Sequence, residues 1–185
     1  MPRYGERSSA VTSSAFEVAF SVEELQAKRH DRTDFDCGEE LLNQYLRTLA
    51  GQHRAKGIAT TFVLVESGRP SRILGYYSLS AASLAFERLT EADRKGLPAY
   101  PVPAVRIGRL ATSLSVRGQG LGELLLQNAI KRALQARNTL GVHAVLVEAK
   151  NSAAAGFYRK YGFRLCDSKS RQLYLPLGAE QLASK

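Results

Sequence analysis

The stretch VRGQGLG, residues 116–122, places glycine at every second position directly after Arg117. It follows AVRIGRLATSL, an apolar and β-branched run, and it leads into LGELLLQNAIKRALQAR, where apolar residues recur at helical spacing. The residues expected on the apolar side of this helix are Leu121, Leu124, Leu125, Ala129, Ala133 and Leu134. The order is therefore strand, glycine loop, helix. Such a loop frees backbone N–H groups at a helix start, where the helix dipole adds roughly half a positive charge. The sequence predicts a cradle for a pyrophosphate, and a tight turn without a ligand is the alternative.

Two other glycine-rich loops are excluded by the residues around this one. A dinucleotide-binding fingerprint beginning at Gly118 needs glycine at position 123, which is Glu123 here. A P-loop needs a Gly-Lys dipeptide, and the chain contains none. These observations disfavour a nicotinamide cofactor and an NTPase.

Composition and charge narrow the class of protein further. With 185 residues, 44% of them hydrophobic, the chain fits one domain; we assign residues 16–178 to it and residues 1–15 and 179–185 to polar tails. The formal net charge of +9 favours a polyanionic partner. No apolar run approaches the roughly 18 residues of a membrane span, and no signal-peptide pattern opens the chain, so we expect a cytoplasmic protein. Cys37 and Cys166 alone indicate neither a disulfide framework nor a zinc site.

Patterning along the rest of the chain predicts a mixed α/β (α+β) fold. A helix is expected over residues 38–53, with Asp36 and Glu39 as a relative of the capping box. The runs TTFVLVE and ILGYYSLSAASLAF are expected to be paired strands, and VHAVLVEA to be a buried strand. SAAAGFYRKYGF then predicts a short helix ending at Gly162, and QLYLPL a last strand. The ligand cleft is expected near the glycine loop.

Several stretches carry a resemblance to a known family. RGQGLG after GRLATS resembles the acetyl-coenzyme A (acetyl-CoA) loop of the GNAT superfamily of N-acetyltransferases, and FYRKYGF resembles the superfamily's late helix. HDRTDFDCGEELLNQYLR, GYYSLSAASL and PVPAVRIGRLA resemble one branch, the toxins of toxin–antitoxin modules that acetylate the amino acid on charged tRNA and so block translation. The resemblance covers about residues 30–177. Thr112 and Ser113 depart from it, since such toxins often have Val and Asp there.

The resemblance implies a fold, a co-substrate, a site and partners. The GNAT fold is a central, mixed and mostly antiparallel sheet flanked by helices, with a splayed strand that forms the acetyl-CoA cleft. Acetyl-CoA is the implied co-substrate, and no metal is implied. Tyr158 is the implied catalytic residue, a hydrogen-bond donor to the coenzyme sulfur. The toxin branch implies aminoacyl-tRNA as acceptor and a ribbon-helix-helix antitoxin as partner, and it leaves a homodimer open. The implied coenzyme contacts are Leu110, Ala111, Thr112, Arg117, Gly118, Gln119, Gly120, Leu121, Gly122, Glu123, Asn151 and Tyr158.

The sequence offers no evident general base, and this bears on the acceptor. Glu148, at the end of a predicted strand, is the one candidate, and the three histidines show no catalytic spacing. A lysine amine with a pKa near 10.4 needs a base, whereas an α-amine near 7.7–8.0 is already partly neutral at pH 7. An α-amine acceptor is therefore favoured. An acetyltransferase of a small amine or a protein, and a domain that binds acetyl-CoA without turnover, remain the alternatives. Cations that could face a tRNA are Lys28, Arg29, Arg32, Arg94, Lys95, Arg106 and Arg109.

Overall fold

The computed structural model describes residues 19–167 and 170–178; the two predicted tails lie outside them. The strands are β1 Phe20–Glu24, β2 Thr60–Glu66, β3 Arg69–Leu84, β4 Val102–Thr112, β5 Ala144–Glu148, β6 Arg164–Leu165 and β7 Gln172–Pro176. The α-helices are α1 Glu40–Gln44, α2 Ala50–Ala55, α3 Glu91–Arg94, α4 Leu121–Arg137 and α5 Ser152–Lys160. A π-helical segment, Tyr45–Leu49, joins α1 to α2, and 3₁₀ turns lie at Phe86–Arg88 and Leu114–Val116.

The seven strands form one sheet in the order β1-β2-β3-β4-β5-β7-β6. Every neighbouring pair is antiparallel except β4 and β5, which run parallel. The last strand, β7, therefore lies between β5 and β6. Helices α4 and α5 pack on one face, while α1, the π-helical segment and α2 cover part of the other. The predicted fold class, a mixed and mostly antiparallel sheet flanked by helices, is confirmed.

Strands β4 and β5 separate at a defined point. Their parallel pairing ends at Ile107 opposite Val147, although β4 continues to Thr112. On the other side of β4 the register with β3 slips by one residue, which leaves Gly108 unpaired as a β-bulge. A bulge bends its strand and increases the local twist. The bend carries the end of β4 away from β5 and opens a cleft between them, as expected of the splayed strand.

The first predicted helix is present but differs in its details. It continues to Ala55, two residues beyond the expected end, and contains the π-helical segment. The predicted capping pair is wrong: Glu39 is at the N-cap position but makes no capping bond, and Asp36 accepts hydrogen bonds from the Gly38 backbone N–H and from Asn43. Leu41, expected on the apolar side, is 81% exposed. Tertiary contacts of Asp36 and Glu39, described below, hold the start of this helix.

Helix α4 has the bounds expected from its apolar spacing. Its core side consists of Leu121, Leu125, Leu126, Ala129 and Ala133, each at most 5% exposed. Leu126 was not expected there, whereas Leu124 and Leu134 are only partly buried. The helix lies so close to β3 that a Cβ at Gly75 would be 2.8 Å from Leu125 Cδ1. Glycine at position 75 therefore permits the close contact of helix and sheet.

Candidate active site

The glycine loop adopts a backbone conformation that other residues rarely take. Gly118 has φ 81° and Gly120 has φ 75°, both in the left-handed region. A Cβ at either position would meet nothing within 4 Å, so the need for glycine is conformational and not one of packing. Any residue with a side chain would strain the turn that starts α4.

This turn leaves backbone donors free at the helix N-terminus. Within residues 19–167 and 170–178, no acceptor lies opposite the N–H groups of Gly118, Gly120, Leu121 and Gly122. The other two amides of the predicted cradle are already bonded: Gln119 N–H donates to Val116 O at 3.4 Å and Glu123 N–H to Gly120 O at 3.1 Å. Four free amides at the start of a 17-residue helix can donate hydrogen bonds to an anion.

A cavity of about 420 Å³ occupies the cleft where β4 leaves β5. It brings together five of the predicted coenzyme contacts: Leu110, Ala111, Thr112, Arg117 and Tyr158. Its remaining lining residues are Cys37, Glu39, Leu41, Leu42, Ile107, Gly108, Arg109, Glu148, Lys150 and Ala154. Asn151 does not line it, and its side chain accepts a hydrogen bond from Ala154 N–H at 2.9 Å as the N-cap of α5.

Tyr158 reaches the cavity from α5. Its side chain is 9% exposed and packs against Phe157 and Phe163. Its hydroxyl has no hydrogen-bond partner in the part of the chain that the structure describes. Burial raises the pKa of Tyr158 to about 12, so the phenol stays protonated. Complete proton transfer to a thiolate with a pKa near 8.5 would then be uphill by roughly 5 kcal/mol, so this hydroxyl is suited to donating a hydrogen bond and not to giving up its proton.

The opposite wall of the cavity is formed by segment 36–42, which the sequence did not assign to the site. Three contacts hold the segment against the rest of the cavity: Leu114 N–H donates to Asp36 O at 2.8 Å, Arg117 Nη2 to Cys37 O at 3.1 Å, and Lys150 Nζ pairs with Glu39 Oε1 at 2.6 Å. Arg117, expected to meet the pyrophosphate, is thus bonded to this segment.

The thiol of Cys37 also belongs to this wall. It is 4% exposed, its Sγ donates to Asn43 Oδ1 at 3.1 Å, and burial raises its pKa. A protonated, hydrogen-bonded thiol is a poor nucleophile. The cavity therefore offers no activated cysteine for a covalent acetyl-enzyme.

With this geometry established, the chain can be compared with known proteins. A family model described as an acetyltransferase (GNAT) domain matches residues 59–165. The chain belongs to the GNAT family. The predicted family and the predicted enzyme class, an acetyl-CoA-dependent N-acetyltransferase, are confirmed.

Relatives within the GNAT family share a more specific description. A tRNA-acetylating toxin of Mycobacterium tuberculosis (strain ATCC 25618 / H37Rv) is 34% identical over 145 residues, which is 78% of this chain and 85% of the relative. A structure of AtaT complexed with acetyl-methionyl-tRNAfMet has a TM-score of 0.82 and 30% identity, and the match covers 89% of this chain and 98% of that one. A tyrosine-to-phenylalanine mutant of the AtaT toxin, bound to the C-terminus of the antitoxin AtaR and acetyl-CoA, has a TM-score of 0.74 and 32% identity over 90% of this chain and 99% of that one.

The GNAT site contains no histidine base. Glu148 lines the cavity and is exposed, and its carboxylate has no ion-pair or hydrogen-bond partner among residues 19–167 and 170–178. His30 is buried and bonded to Glu23, His53 packs edge-on against Tyr45, and burial lowers the pKa of His143. None of the three lines the cavity.

The seven cations proposed to face a tRNA do not all lie at the cavity. Only Arg109 among them lines the cavity. Arg29 pairs with Glu23 at 3.0 Å, and Arg94 donates to the carbonyl oxygens of Glu87 and Leu89.

In the described part of the chain, no helix is long and apolar enough to cross a membrane, and no group of three His, Cys, Asp or Glu side chains could hold a metal ion.

Proposed function

We propose that this protein transfers the acetyl group of acetyl-CoA to the α-amine of aminoacyl-tRNA and so acts as a toxin that blocks translation. The observation that carries the proposal is the cavity at the β4–β5 separation, which Tyr158 lines, together with the free amides of the glycine loop that follows the lining residue Arg117 in the chain. The tRNA-acetylating relative and the AtaT complex with acetyl-methionyl-tRNA support the choice of acceptor. So do the net charge of +9 and the absence of a histidine base from the cavity lining.

The residues of this chain fit the coenzyme. The free N–H groups of Gly118 and residues 120–122 would hold its pyrophosphate, because an anion there gains several charge-assisted bonds and the helix dipole. Backbone groups of Leu110, Ala111 and Thr112 face the cleft after β5 has ended, and would orient the pantetheine arm and polarise the thioester carbonyl. Acetyl-CoA supplies the acetyl group as a thioester. Asn151 and Gln119 are proposed only to shape this region.

Tyr158 and the acceptor's own chemistry complete the mechanism. The protonated Tyr158 hydroxyl would donate a hydrogen bond to the sulfur as negative charge develops there. The α-amine of an aminoacyl group is neutral in a useful fraction near pH 8, so solvent, or Glu148 at the cavity wall, can take the proton it loses. No fixed base is needed, which agrees with the exposed and unpartnered carboxylate of Glu148.

A protein partner is proposed from the same relatives. The AtaT toxin is bound to the C-terminus of its antitoxin, and a protein antitoxin is proposed for this chain too. Its ribbon-helix-helix type, a homodimer of the toxin, and a cytoplasmic location stay predictions.

The test of the function is an acetylation assay with labelled acetyl-CoA and a pool of charged tRNAs. After deacylation, N-acetyl amino acids are expected with the wild type, and the Tyr158→Phe control should form them about a hundredfold more slowly. The KM for the tRNA should rise steeply with salt, because phosphate contacts release counterions, whereas a small amine would show almost no slope. Transfer to free amines or protein lysines, with charged tRNA untouched, would contradict the proposal and favour the small-amine or protein acetyltransferase.

A further inference from the structure

Arg109 has an unusual environment for a charged side chain in this cavity. It lies on β4, just after the bulge, and its guanidinium carbon is 3.7 Å from the centroid of the Tyr45 ring. Tyr45 is 1% exposed and is itself stacked on Tyr76. A planar cation lying on a buried ring is held in position. The side chain is therefore pre-organised before any ligand binds.

The guanidinium nevertheless lacks the partners that such a group requires. No hydrogen-bond acceptor or carboxylate contacts Arg109 anywhere in residues 19–167 and 170–178. Arg132 provides a comparison, because it lies over Phe62 at 3.9 Å in the same way but also donates to Asn128 Oδ1 at 3.1 Å and to Val22 O at 3.4 Å. A half-buried guanidinium has five N–H donors to satisfy. The unpaired donors of Arg109 point to an anionic ligand.

Strand alternation shows which substrate can supply that anion. Side chains on a strand alternate between the two faces of the sheet. Thr112 contacts the α4 side, where its Cγ2 lies 4.0 Å from a Cβ built on Gly122, whereas Ala111 packs with Tyr45 and Tyr76 on the other face. Arg109, lying over Tyr45, is on that second face. The pyrophosphate cradle and Arg109 thus lie on opposite faces, so Arg109 is placed for the acceptor and not for the coenzyme.

We propose that Arg109 binds the phosphodiester of the terminal nucleotide of aminoacyl-tRNA and so positions the α-amine at the thioester. The inference rests on the proposed function. Arg109 directly precedes Leu110, whose backbone is assigned to the thioester, and the terminal phosphodiester is the anion of the acceptor closest to its α-amine. A guanidinium can bind two phosphate oxygens at once, which fixes both distance and orientation.

The experiment compares two minimal acceptors that carry the amino acid acetylated in the tRNA pool: the aminoacyl ester of adenosine 5′-phosphate and the same ester of adenosine. Losing a charge-assisted bidentate contact should raise the KM of Arg109→Gln for the phosphate-bearing acceptor about ten- to hundredfold. The KM for the phosphate-free acceptor and the Kd of acetyl-CoA should stay within a few fold. Arg109→Lys should fall between, since it keeps the charge but not the planar donors.

Arg132→Gln is the matched control, because it removes an arginine that is also stacked on an aromatic ring but lies outside the cavity. It should leave the ratio of the two KM values unchanged. The wild type itself should have a lower KM for the phosphate-bearing acceptor than for the phosphate-free one, which tests the proposed phosphate contact without any variant.

Three outcomes would overturn the inference alone: equal KM values of the wild type for the two acceptors, an equal rise for both in Arg109→Gln, or a weaker Kd for acetyl-CoA. The second would mean that Arg109 only supports Tyr45, and the third that it contacts the coenzyme. If the wild type acetylates no aminoacyl ester and no charged tRNA, the proposed function itself fails and takes the inference with it.

Discussion

Two parts of the site are built in different ways: the glycine loop, which follows the lining residue Arg117 and is the proposed coenzyme end, and segment 36–42, which lines the cavity and is the proposed acceptor end. The glycine loop is one contiguous stretch whose function lies in its backbone: φ values near 80° and amides without acceptors. Segment 36–42 forms the other end with side chains and is held by residues far along the chain, among them Lys150, 111 residues from Glu39. The coenzyme end therefore depends on local conformation, and the acceptor end depends on tertiary contacts. Changes at the two ends should have separable effects.

The largest effect is expected at the coenzyme end, from Gly120→Val. A β-branched residue cannot take φ 75° without strain, so the turn reorients and the amides of Leu121 and Gly122 lose their alignment. Loss of two charge-assisted bonds of about 1.5 kcal/mol each should weaken acetyl-CoA binding at least about a hundredfold. Isothermal calorimetry measures this directly.

Gly96→Val is the matched control for that strain. Gly96 has φ 79° and, like Gly120, no atom within 4 Å of a built Cβ, but it is not part of the glycine loop at the start of α4. The melting temperatures of both variants should fall by similar amounts. Only Gly120→Val should bind acetyl-CoA more weakly. Unchanged affinity in a folded Gly120→Val protein would remove the cradle from the mechanism.

Tyr158→Phe should affect turnover and leave both ends of the site intact. The hydroxyl acts only when charge builds on the sulfur, so kcat should fall by about a hundredfold while the Kd of acetyl-CoA changes by a few fold. Single-turnover kinetics with saturating acetyl-CoA separates the two quantities. Equal turnover in the two proteins would exclude Tyr158 as the donor.

The dependence of kcat/KM on pH should show a more moderate effect of the same residue, Tyr158. The reaction needs a neutral α-amine and a protonated Tyr158; because burial raises the pKa of Tyr158 to about 12, its active form persists to high pH. The kcat/KM should therefore rise with an apparent pKa near 7.7–8.0 and then stay level to about pH 10. Initial rates, corrected for hydrolysis of the aminoacyl ester, test this. A decline below pH 10 that Tyr158→Phe abolishes would show that the pKa is not raised.

The smallest effect is expected at the acceptor end, from Lys150→Gln. The ion pair with Glu39 is half exposed, with side chains 57% and 53% accessible, so its loss should cost less than about 1 kcal/mol of unfolding free energy. The acceptor KM should rise a few fold because segment 36–42 loses one attachment, and the Kd of acetyl-CoA should not change.

Arg54→Gln, which removes the exposed Arg54–Glu24 pair outside the cavity, is the control for Lys150→Gln. It should have the same small effect on stability and none on the acceptor KM. If Lys150→Gln instead weakens the binding of acetyl-CoA, changes at the two ends do not have separable effects.

The same contrast explains what could be predicted from the sequence. The order of strand, glycine loop and helix, the bounds of α4 and the place of Tyr158 follow from patterns within short stretches, and the structure brings Leu110, Ala111, Thr112 and Tyr158 to one cavity. That each residue named from the family resemblance contacts the coenzyme stays a prediction.

The remaining features depend on contacts that no local pattern encodes. Among the described strands β1 pairs only with β2, and it has a mostly polar sequence. The bulge at Gly108 follows from the register with β3. Leu41 has helical spacing but is exposed, and Glu39 pairs with Lys150 where a capping bond was expected. In each case a partner distant in sequence decides the outcome.

The position of β7 affects how the protein comes into being on the ribosome. The last of the described strands to be synthesised takes an interior place in the sheet, with β5 on one side and β6 on the other. Until it emerges, β5 has an unpaired edge, and domains generally fold as units. The sheet that carries the cavity should therefore be complete only after β7 has left the ribosome.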